Sequence, residues 1–292
     1  MKAMVWLTWR QHRWVLLSTA VLALIASSLL VAVDLTESPG RSVPLPAFYA
    51  VLLQTAFGAV IGMFWGAPLV AREFEERTHL VAWGQDVTPQ RWLAGKVGVL
   101  AVFALVLAVL MGQGDGFRGY QDGASWALFE AHPLVQAGYV LLGLALGVLF
   151  GLLARHTLTA MAFTLAAYVG VRMLLALGWR EHYLPAERAV APVREAASVP
   201  KGAEIVASGY LGGDGEPMAV PDICARLSRP AACIAANGGT DSYVDYQPVE
   251  RVFGFQVTEF LVCFLLALGL FVLAHERIRR GWRPSRTHRR LA

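Results

Sequence analysis

Charged side chains are scarce in this chain, at 16% of its 292 residues, against roughly 25% in an ordinary soluble domain. Hydrophobic residues make up 56% of the chain, and its mean hydropathy is +0.51. This balance argues against a soluble globular protein and indicates a polytopic membrane protein. The net charge of +4 is modest, so its placement along the chain matters more than its size.

Motifs for nucleotide and metal chemistry are also missing from the sequence. No G-x-x-x-x-G-K-[ST] phosphate loop occurs, because Gly95-Lys96 is followed by Val97 and lacks the upstream glycine. No H-E-x-x-H occurs either, because His275-Glu276 lacks the second histidine. We therefore expect no enzymatic activity, catalytic residue, metal site or cofactor on this chain.

Cysteine is rare, with three residues. Cys263 lies in an apolar run and is expected to be a small buried side chain. Cys224 and Cys233 lie in a long polar segment that we place outside the membrane, where disulfides persist. The sequence leaves two free thiols open, and we favour a disulfide.

Six apolar runs are long enough to cross a bilayer, which takes about 20 residues of helix. They cover residues 15–33, 47–70, 93–111, 133–153, 157–177 and 254–274. The first run is expected to be a span and not a cleaved leader, because its apolar core is longer than the roughly 7–15 residues of a leader. The predicted fold is an all-α integral membrane protein with six transmembrane helices.

Basic residues predict the orientation of these spans. An even number of spans places both termini on one side, and the basic residues concentrate there: Lys2, Arg10, Arg13, Arg72, Arg77, Arg91, Arg155, Arg277, Arg279, Arg280, Arg283, Arg286, Arg289 and Arg290. The two short loops on the other side hold only Arg41 and Arg118. We therefore predict that both termini and the loop 71–92 are cytoplasmic.

The remaining segments complete the predicted organisation. Residues 1–14, with Trp6, Trp9 and Arg13 at helical spacing, predict an amphipathic interfacial helix that either anchors the chain or transmits motion. Spans one to five occupy residues 15–177. The long outer loop 178–253 is predicted to be loop-rich, with short helices near 186–197 and 222–237. The tail 275–292 is basic and suited to anionic lipid, without need of nucleic acid.

Two glycine repeats predict close helix packing. Each has the pattern G-x-x-x-G-x-x-x-G, which lets helix backbones approach. They comprise Gly58, Gly62 and Gly66 in the second span, and Gly143, Gly147 and Gly151 in the fourth. Packing within one chain is favoured, and an interface between two copies stays open.

Polar residues inside spans predict an intramembrane site. Arg172 and Glu259 lie at matching depths near the outer ends of spans five and six. Buried charges usually pair or face a cavity. We expect the two to be partners, with separate exits to the surface as the alternative. Gln54, Thr55, Gln136 and Gln256 are further polar candidates.

A dense run of charge separates spans two and three. It reads Arg72-Glu-Phe-Glu-Glu-Arg-Thr-His79, and Thr88-Pro-Gln-Arg-Trp-Leu-Ala-Gly-Lys96 follows. Helix two is expected to continue into residues 71–78. With six spans, an entry helix and a long outer loop between spans five and six, the chain resembles the permease subunit of a type-2 ABC exporter. The opening 5–13 is similar to the actinobacterial branch. Arg77 departs from the family, which commonly has glycine before the threonine.

The resemblance implies a mechanism and partners. A separate ATPase subunit, which binds ATP and magnesium, would contact the loop through Arg72, Glu73, Glu75, Glu76, Arg77 and Thr78. A second permease copy or a homologous permease would complete the path in the bilayer of a bacterial plasma membrane. A hydrophobic or amphipathic substrate is expected. The alternatives are a solvated helix end with no such role, and a membrane scaffold or signalling subunit without transport.

Overall fold

A computed structural model describes residues 13–25, 27–28, 45–77, 88–112, 126–195, 197–225 and 230–281. The chain divides into two compact units. The helical unit comprises Met1–Gly119, Glu130–Leu175 and Gln256–Ala292, and the sheet unit comprises Tyr120–Phe129 and Ala176–Phe255.

Seven of the described helices belong wholly or mostly to the helical unit. They are α1 Arg13–Ile25, α2 Leu45–Ile61, α3 Ala67–Glu75, α4 Pro89–Met111, α5 Pro133–Ala154, α6 Thr157–Leu174 and α9 Val252–Gly281. A π-helical turn, Gly62–Gly66, joins α2 to α3, and a second, Leu175–Trp179, extends α6. A 3₁₀ turn, Trp126–Ala131, precedes α5.

Five helices among the described residues are long and apolar enough to cross a membrane. They are Leu52–Glu75, Pro89–Met111, Pro133–Ala154, Thr157–His182 and Val249–Arg280. The first predicted span is represented by α1, which is shorter, and residues 29–33 lie outside the described part of the chain. The prediction of six spans therefore stays a prediction, as does the interfacial helix, of which residues 1–12 are not described.

Helix ends differ from the predicted span ends because hydropathy marks apolar length and not helix length. Helix α4 begins at Pro89, where Thr88 caps it by accepting a hydrogen bond from the Arg91 amide at 3.4 Å. Helix α9 continues beyond the apolar run to Gly281, and Glu276 pairs there with Arg279 at 2.8 Å.

Helix α5 lies at the centre of the helical unit. In its most apolar window, 72% of the residues are buried, against 33% in α4, 28% in α6 and 22% in the window of α9. Its buried positions include Tyr139, Leu144 and Val148. The other helices therefore keep apolar faces that the chain itself does not cover.

The sheet unit corrects the prediction of an all-α protein. Four strands, β1 Glu187–Pro192, β2 Glu204–Gly212, β3 Pro217–Met218 and β4 Gly239–Gln247, form an antiparallel sheet in the order β1-β4-β2-β3. Two short helices, α7 Asp222–Ala225 and α8 Pro230–Ala236, fall where the sequence predicts helix.

The predicted helix near 186–197 is wrong, because β1 occupies that stretch. Its alanine-rich sequence favours a helix locally. Every residue of β1 pairs with β4, however, from Glu187 opposite Tyr246 to Pro192 opposite Asp241. Long-range pairing therefore overrides local propensity.

A cross-strand ion pair reinforces that pairing. The Arg188 guanidinium donates to both carboxylate oxygens of Asp245, at 2.7 and 2.8 Å. These hydrogen bonds hold the pKa of Asp245 below its usual value.

Cys224 and Cys233 form a disulfide with a Cα–Cα distance of 5.5 Å, which joins α7 to α8. Cys224 is buried with Val193 and Ile234 in a small core. Cys263 is a buried free cysteine on α9.

Candidate functional site

The two glycine repeats pack against each other within the chain. A Cβ atom added to Gly62 would lie 2.5 Å from the Gly143 carbonyl oxygen, and one added to Gly143 would collide with the Gly58 carbonyl oxygen. Since backbone atoms cannot rotate aside, these positions accept only glycine without a backbone shift. Helix α2 and its π turn are therefore held directly on the backbone of α5.

The close packing continues into α3, but there the contact with Gly151 is made by Ala67, one position after Gly66. Gly66 meets the Leu144 carbonyl oxygen at 2.7 Å, and Gly151 meets the Ala67 carbonyl oxygen at the same distance, each measured from an added Cβ. A Cβ atom added to Gly147 would collide with the Gly62 carbonyl oxygen. Every glycine that the sequence singled out for packing thus lies in this one contact.

Helix α3 ends at Glu75, three residues before the predicted end of the helix. The Glu76 amide bonds to the Arg72 carbonyl oxygen at 2.9 Å, and Arg77 follows in the left-handed conformation, with φ of 55°. Glycine adopts this conformation without strain, and it is the usual residue after a helix end. The position at which the sequence departs from its family resemblance is therefore a conformationally demanding one. Thr78 lies outside the described residues.

Glu73 contacts another helix. Its carboxylate accepts from the Lys96 ammonium at 2.8 Å, with side-chain exposures of 16% and 4%. The ammonium also lies 4.4 Å from the centre of the Trp92 ring. Because α4 begins at Pro89, the lysine is two turns into that helix and joins it to α3.

Glu75 contacts the turn between α5 and α6. Its Oε2 accepts from the Thr157 hydroxyl at 2.6 Å and from the Thr157 amide at 3.2 Å, while Oε1 lies 3.4 Å from His156 Nδ1. Thr157 is the first residue of α6, so its amide has no partner inside the helix. The carboxylate therefore caps a neighbouring helix.

Arg72 and Glu76 project outward. They pair with each other at 2.6 Å across one helical turn, with side-chain exposures of 70% and 52%. They border a cavity of about 760 Å³, which is lined by Val15, Phe64, Pro68, Leu69, Arg72, Glu73, Glu75, Glu76, Lys96 and Thr157.

A second group of polar residues is buried at the other end of the helices. The Arg172 guanidinium on α6 lies 2.6 Å from the Glu130 carboxylate and 3.1 Å from that of Glu259 on α9. It also lies 3.8 Å from the centre of the Tyr139 ring on α5, and the tyrosine hydroxyl bonds to Glu259. The structure thus brings together the two intramembrane charges that the sequence predicted as partners.

Helix α2 joins this cluster through the two polar residues predicted on it. Thr55 donates from its hydroxyl to the Glu130 carboxylate at 3.0 Å. Gln54 donates to the Met111 carbonyl oxygen at 3.0 Å, and Gln136 donates to the Gln54 carbonyl oxygen at 3.2 Å. Gln256 is buried at the start of α9 within the helical unit.

Three members of these groups were not predicted from the sequence. Glu130 lies in the 3₁₀ turn before α5, outside the six apolar runs in which polar residues predicted an intramembrane site. Tyr139 lies in an apolar run, where a tyrosine reads as core. Lys96 lies in the third apolar run, and its buried pair with Glu73 depends on how α3 and α4 cross. Among the described residues, no group of three or more histidine, cysteine or acidic side chains could hold a metal ion.

Apolar helices of membrane-spanning length and buried charges at matched depths define a multi-pass membrane protein. The family model described as ABC-2 membrane transporter related matches residues 33–180, about half of the chain, and the chain belongs to that family. No curated protein and no solved structure matches it. Membership supports a transporter permease of the ABC-2 type and implies an ABC system with a partner ATPase.

Proposed function

We propose that this protein is the membrane-spanning permease subunit of an ATP-driven exporter in a bacterial plasma membrane, of an actinobacterial-like branch. It has six spans and cytoplasmic termini, and it moves a hydrophobic or amphipathic substrate outward. It performs no chemistry on ATP itself. The partner ATPase binds ATP and magnesium, and a second permease, identical or homologous, completes the transport path.

The observation that carries this proposal is the exposed charge pair at the end of α3. Arg72 and Glu76 point away from the chain at the end of a helix whose other face is fixed on α5 by glycine contacts. A partner that pushes on this pair moves a rigid element, since α2 and α3 form one continuous helical rod. The family match gives that partner its class, an ABC ATPase.

The structure describes five of the six predicted contact residues, and these fall into two sets. The first set comprises Arg72, Glu76 and Arg77, which are exposed. The second comprises Glu73 and Glu75, whose carboxylates contact Lys96 and Thr157 of the same chain. We therefore propose that the first set contacts the ATPase and that the second set holds α3 in position. Thr78 adjoins the first set in sequence.

The scarcity of charge along the spans supports the substrate class. The five candidate spans have mean hydropathies between 1.4 and 2.5 in their most apolar windows. Walls of this kind suit an apolar cargo such as a lipid, a peptide or a drug, because an isolated charge in the bilayer costs several kcal/mol.

Co-purification tests the proposal directly. The tagged chain is expressed with the ATPase encoded beside it and compared with the charge-exchanged variant Arg72→Glu/Glu76→Arg. The exchange keeps the i,i+4 pair within α3 and inverts only the charges that the partner meets. We expect the unmodified chain to retain the ATPase and the exchanged chain to lose it.

A matched exchange on another helix is the control. Glu276 and Arg280 form an i,i+4 pair at 3.7 Å on α9, and Glu276→Arg/Arg280→Glu should retain the ATPase. If the folded, unmodified chain retains no ATPase, the exporter proposal fails and the non-transporting scaffold or signalling subunit takes its place. A neighbouring kinase gene, or no ATPase gene nearby, would favour that alternative.

A further inference from the structure

The geometry points to Glu75 as the positioning residue that transmits movement of α3 to α6, the second helix of the hairpin formed by α5 and α6. This inference rests on the proposed function, because it concerns where the force from the ATPase goes. It assigns Glu75 to contact within the permease, in place of contact with the ATPase. Helix α6, and not spans one and two alone, then becomes a part that responds to nucleotide.

Glu75 has three contacts across this junction, and all of them are with the two residues that open α6. Oε2 accepts from both the hydroxyl and the amide of Thr157, and Oε1 lies beside His156. A carboxylate at a helix N-terminus is attracted to the free amides and to the helix dipole. In a capped helix this acceptor is usually a local side chain. Here it comes from a residue 82 positions away along the chain, on another helix.

The face of α3 that contains Glu75 is the one packed on the hairpin. Ala67, Ala71 and Glu75 recur every four residues, so they lie on one side of the helix. Ala67 and Ala71 are fully buried with Ala160 of α6. The small residues allow close approach, and the carboxylate fixes the register at the end of the contact.

The contribution of Glu75 is to geometry more than to stability. Its side chain is 43% exposed, so water screens its interactions and their removal should leave the fold intact. The buried Glu73–Lys96 pair is different, because its loss leaves a buried charge without its partner. Substitutions at Glu75 can therefore separate coupling from folding.

The test uses the complex of the full chain with its ATPase and the variants Glu75→Ala, Thr157→Val and the two combined. Spin labels are attached at Val102→Cys on α4 and Leu158→Cys on α6, which are 62% and 82% exposed, in a Cys263→Ala background. Electron–electron distances are measured without nucleotide and with ATP trapped by a hydrolysis-deficient ATPase. Co-purified ATPase and the thermal midpoint are recorded for each variant.

We expect the parent chain to show a nucleotide-dependent change in the label distance. Glu75→Ala should lose that change, and Thr157→Val, which removes the hydroxyl contact but keeps the amide contact, should reduce it, and both should retain the ATPase and the thermal midpoint. The combined variant should lose no more than Glu75→Ala alone, because the hydroxyl contact that Thr157→Val removes is already lost when Glu75 is replaced. Thr157→Ser, which keeps the hydroxyl, and the control Glu276→Ala should retain the change.

Three results would overturn the inference. In the first, Glu75→Ala keeps the full distance change with the ATPase bound. In the second, Thr157→Val has no effect, which decides the matter even if Glu75→Ala does not assemble. In the third, Glu75→Ala loses the ATPase while Thr157→Val retains both ATPase and distance change, so that Glu75 contacts the partner. Failure of the unmodified chain to bind any ATPase is the distinct result that overturns the proposed function and this inference with it.

Discussion

At the scale of single residues, Arg172 is the side chain on which the buried cluster depends. One planar guanidinium bonds to Glu130 and Glu259 and lies on the Tyr139 ring. A lysine ammonium is a compact charge that cannot form both carboxylate contacts and stack on a ring in the same way. The cluster therefore requires the shape of arginine as well as its charge.

We predict that Arg172→Leu destabilises the protein by about 3–5 kcal/mol, the usual cost of removing one partner of a buried ion pair. The stability of Arg172→Lys should lie between that of Arg172→Leu and that of the unmodified chain. Thermal midpoints in detergent measure the effect. Arg279→Leu, which removes one partner of an exposed pair on α9, is the control and should be near neutral. Equal midpoints for Arg172→Leu and Arg279→Leu would contradict the prediction.

Arg77 affects stability through its backbone, which adopts the left-handed conformation. The left-handed conformation costs a non-glycine residue about 1–2 kcal/mol. We predict that Arg77→Gly raises the thermal midpoint slightly, whereas Arg77→Val lowers it because a branched side chain is strained at φ of 55°. If the valine variant is as stable as the glycine variant, the helix does not end in this conformation.

Asp245 gives the sheet unit a dependence on pH. Its folded-state pKa is lowered by hydrogen bonds from Arg188, so the carboxylate binds protons less readily in the folded than in the unfolded protein. The stabilisation is therefore present above the unfolded-state pKa of about 3.9 and is lost as pH falls through the lower, folded-state value.

We predict that acidification from pH 6 to about pH 3 lowers the stability of the sheet unit more in the unmodified chain than in Asp245→Asn, which has no carboxylate to protonate. Asp241→Asn, on the same strand, should keep the acid sensitivity of the unmodified chain. The loss of near-ultraviolet circular dichroism with pH measures this. Parallel curves for the unmodified chain and Asp245→Asn would contradict the assignment.

The sequence predicted contacts of single residues correctly where the depth of a charge in the membrane leaves it few possible partners. Arg172 and Glu259 were predicted as partners because two charges at one depth have few other groups to meet. Glu130 could not be found in this way. It lies in a 3₁₀ turn outside the six apolar runs, and its contact with Arg172 depends on how the chain brings that turn to α6.

At the scale of elements, the contact between α2 and α5 depends on backbone proximity. We predict that Gly62→Ala or Gly143→Ala destabilises the protein by about 1–3 kcal/mol, because the new methyl group meets backbone carbonyl groups that cannot move aside. Gly170→Ala is the matched control. An added Cβ there has no atom within 4 Å, and alanine favours the helix by about 1 kcal/mol.

The midpoint of thermal unfolding should therefore fall for the first two variants and hold or rise for the control. Equal behaviour of all three would mean that the two helices are not packed through these glycines. A fall in the midpoint for Gly170→Ala alone would instead indicate that another element packs closely on the face of α6 that contains Gly170.

Element-scale prediction failed in the segment before α9 for a physical reason. A helix can be recognised in a sequence from its local periodicity. Strands β1 and β4, in contrast, stabilise each other across about 50 residues of sequence. Alanine and proline give β1 a composition that resembles a loop or a short helix, and only its pairing with β4 makes it a strand. Helix was predicted near 222–237, where α7 and α8 lie, because the signals for helix are local.

At the scale of the whole molecule, orientation in the bilayer is the property that the proposed function most needs. We predict that Ile223→Cys, 72% exposed in the sheet unit, reacts with a membrane-impermeant maleimide in intact cells. Leu158→Cys, at the start of α6, should react only after the membrane is opened. Gel shift of the labelled chain measures both, and the reverse pattern would invert the topology.

Hydropathy alone predicted most of this architecture, because a bilayer needs apolar length and a buried backbone needs helix. It did not predict which way the charged end of α3 faces. The side that Glu73 and Glu75 occupy depends on the number of residues in the turn before them. The π turn Gly62–Gly66 contains one residue more per turn than an α-helix, and no periodicity in the sequence marks it.

That turn makes the protein sensitive to length as well as to composition. Each residue advances an α-helix by about 100°, so deleting one residue from the turn would rotate everything after it by that angle. The packed stripe would then shift from Ala67, Ala71 and Glu75 to residues one position away, and no substitution would restore it. Homologous chains should therefore tolerate changes of residue at Met63 and Phe64 of this turn, yet almost no insertion or deletion in the turn unless a compensating one follows before Ala67.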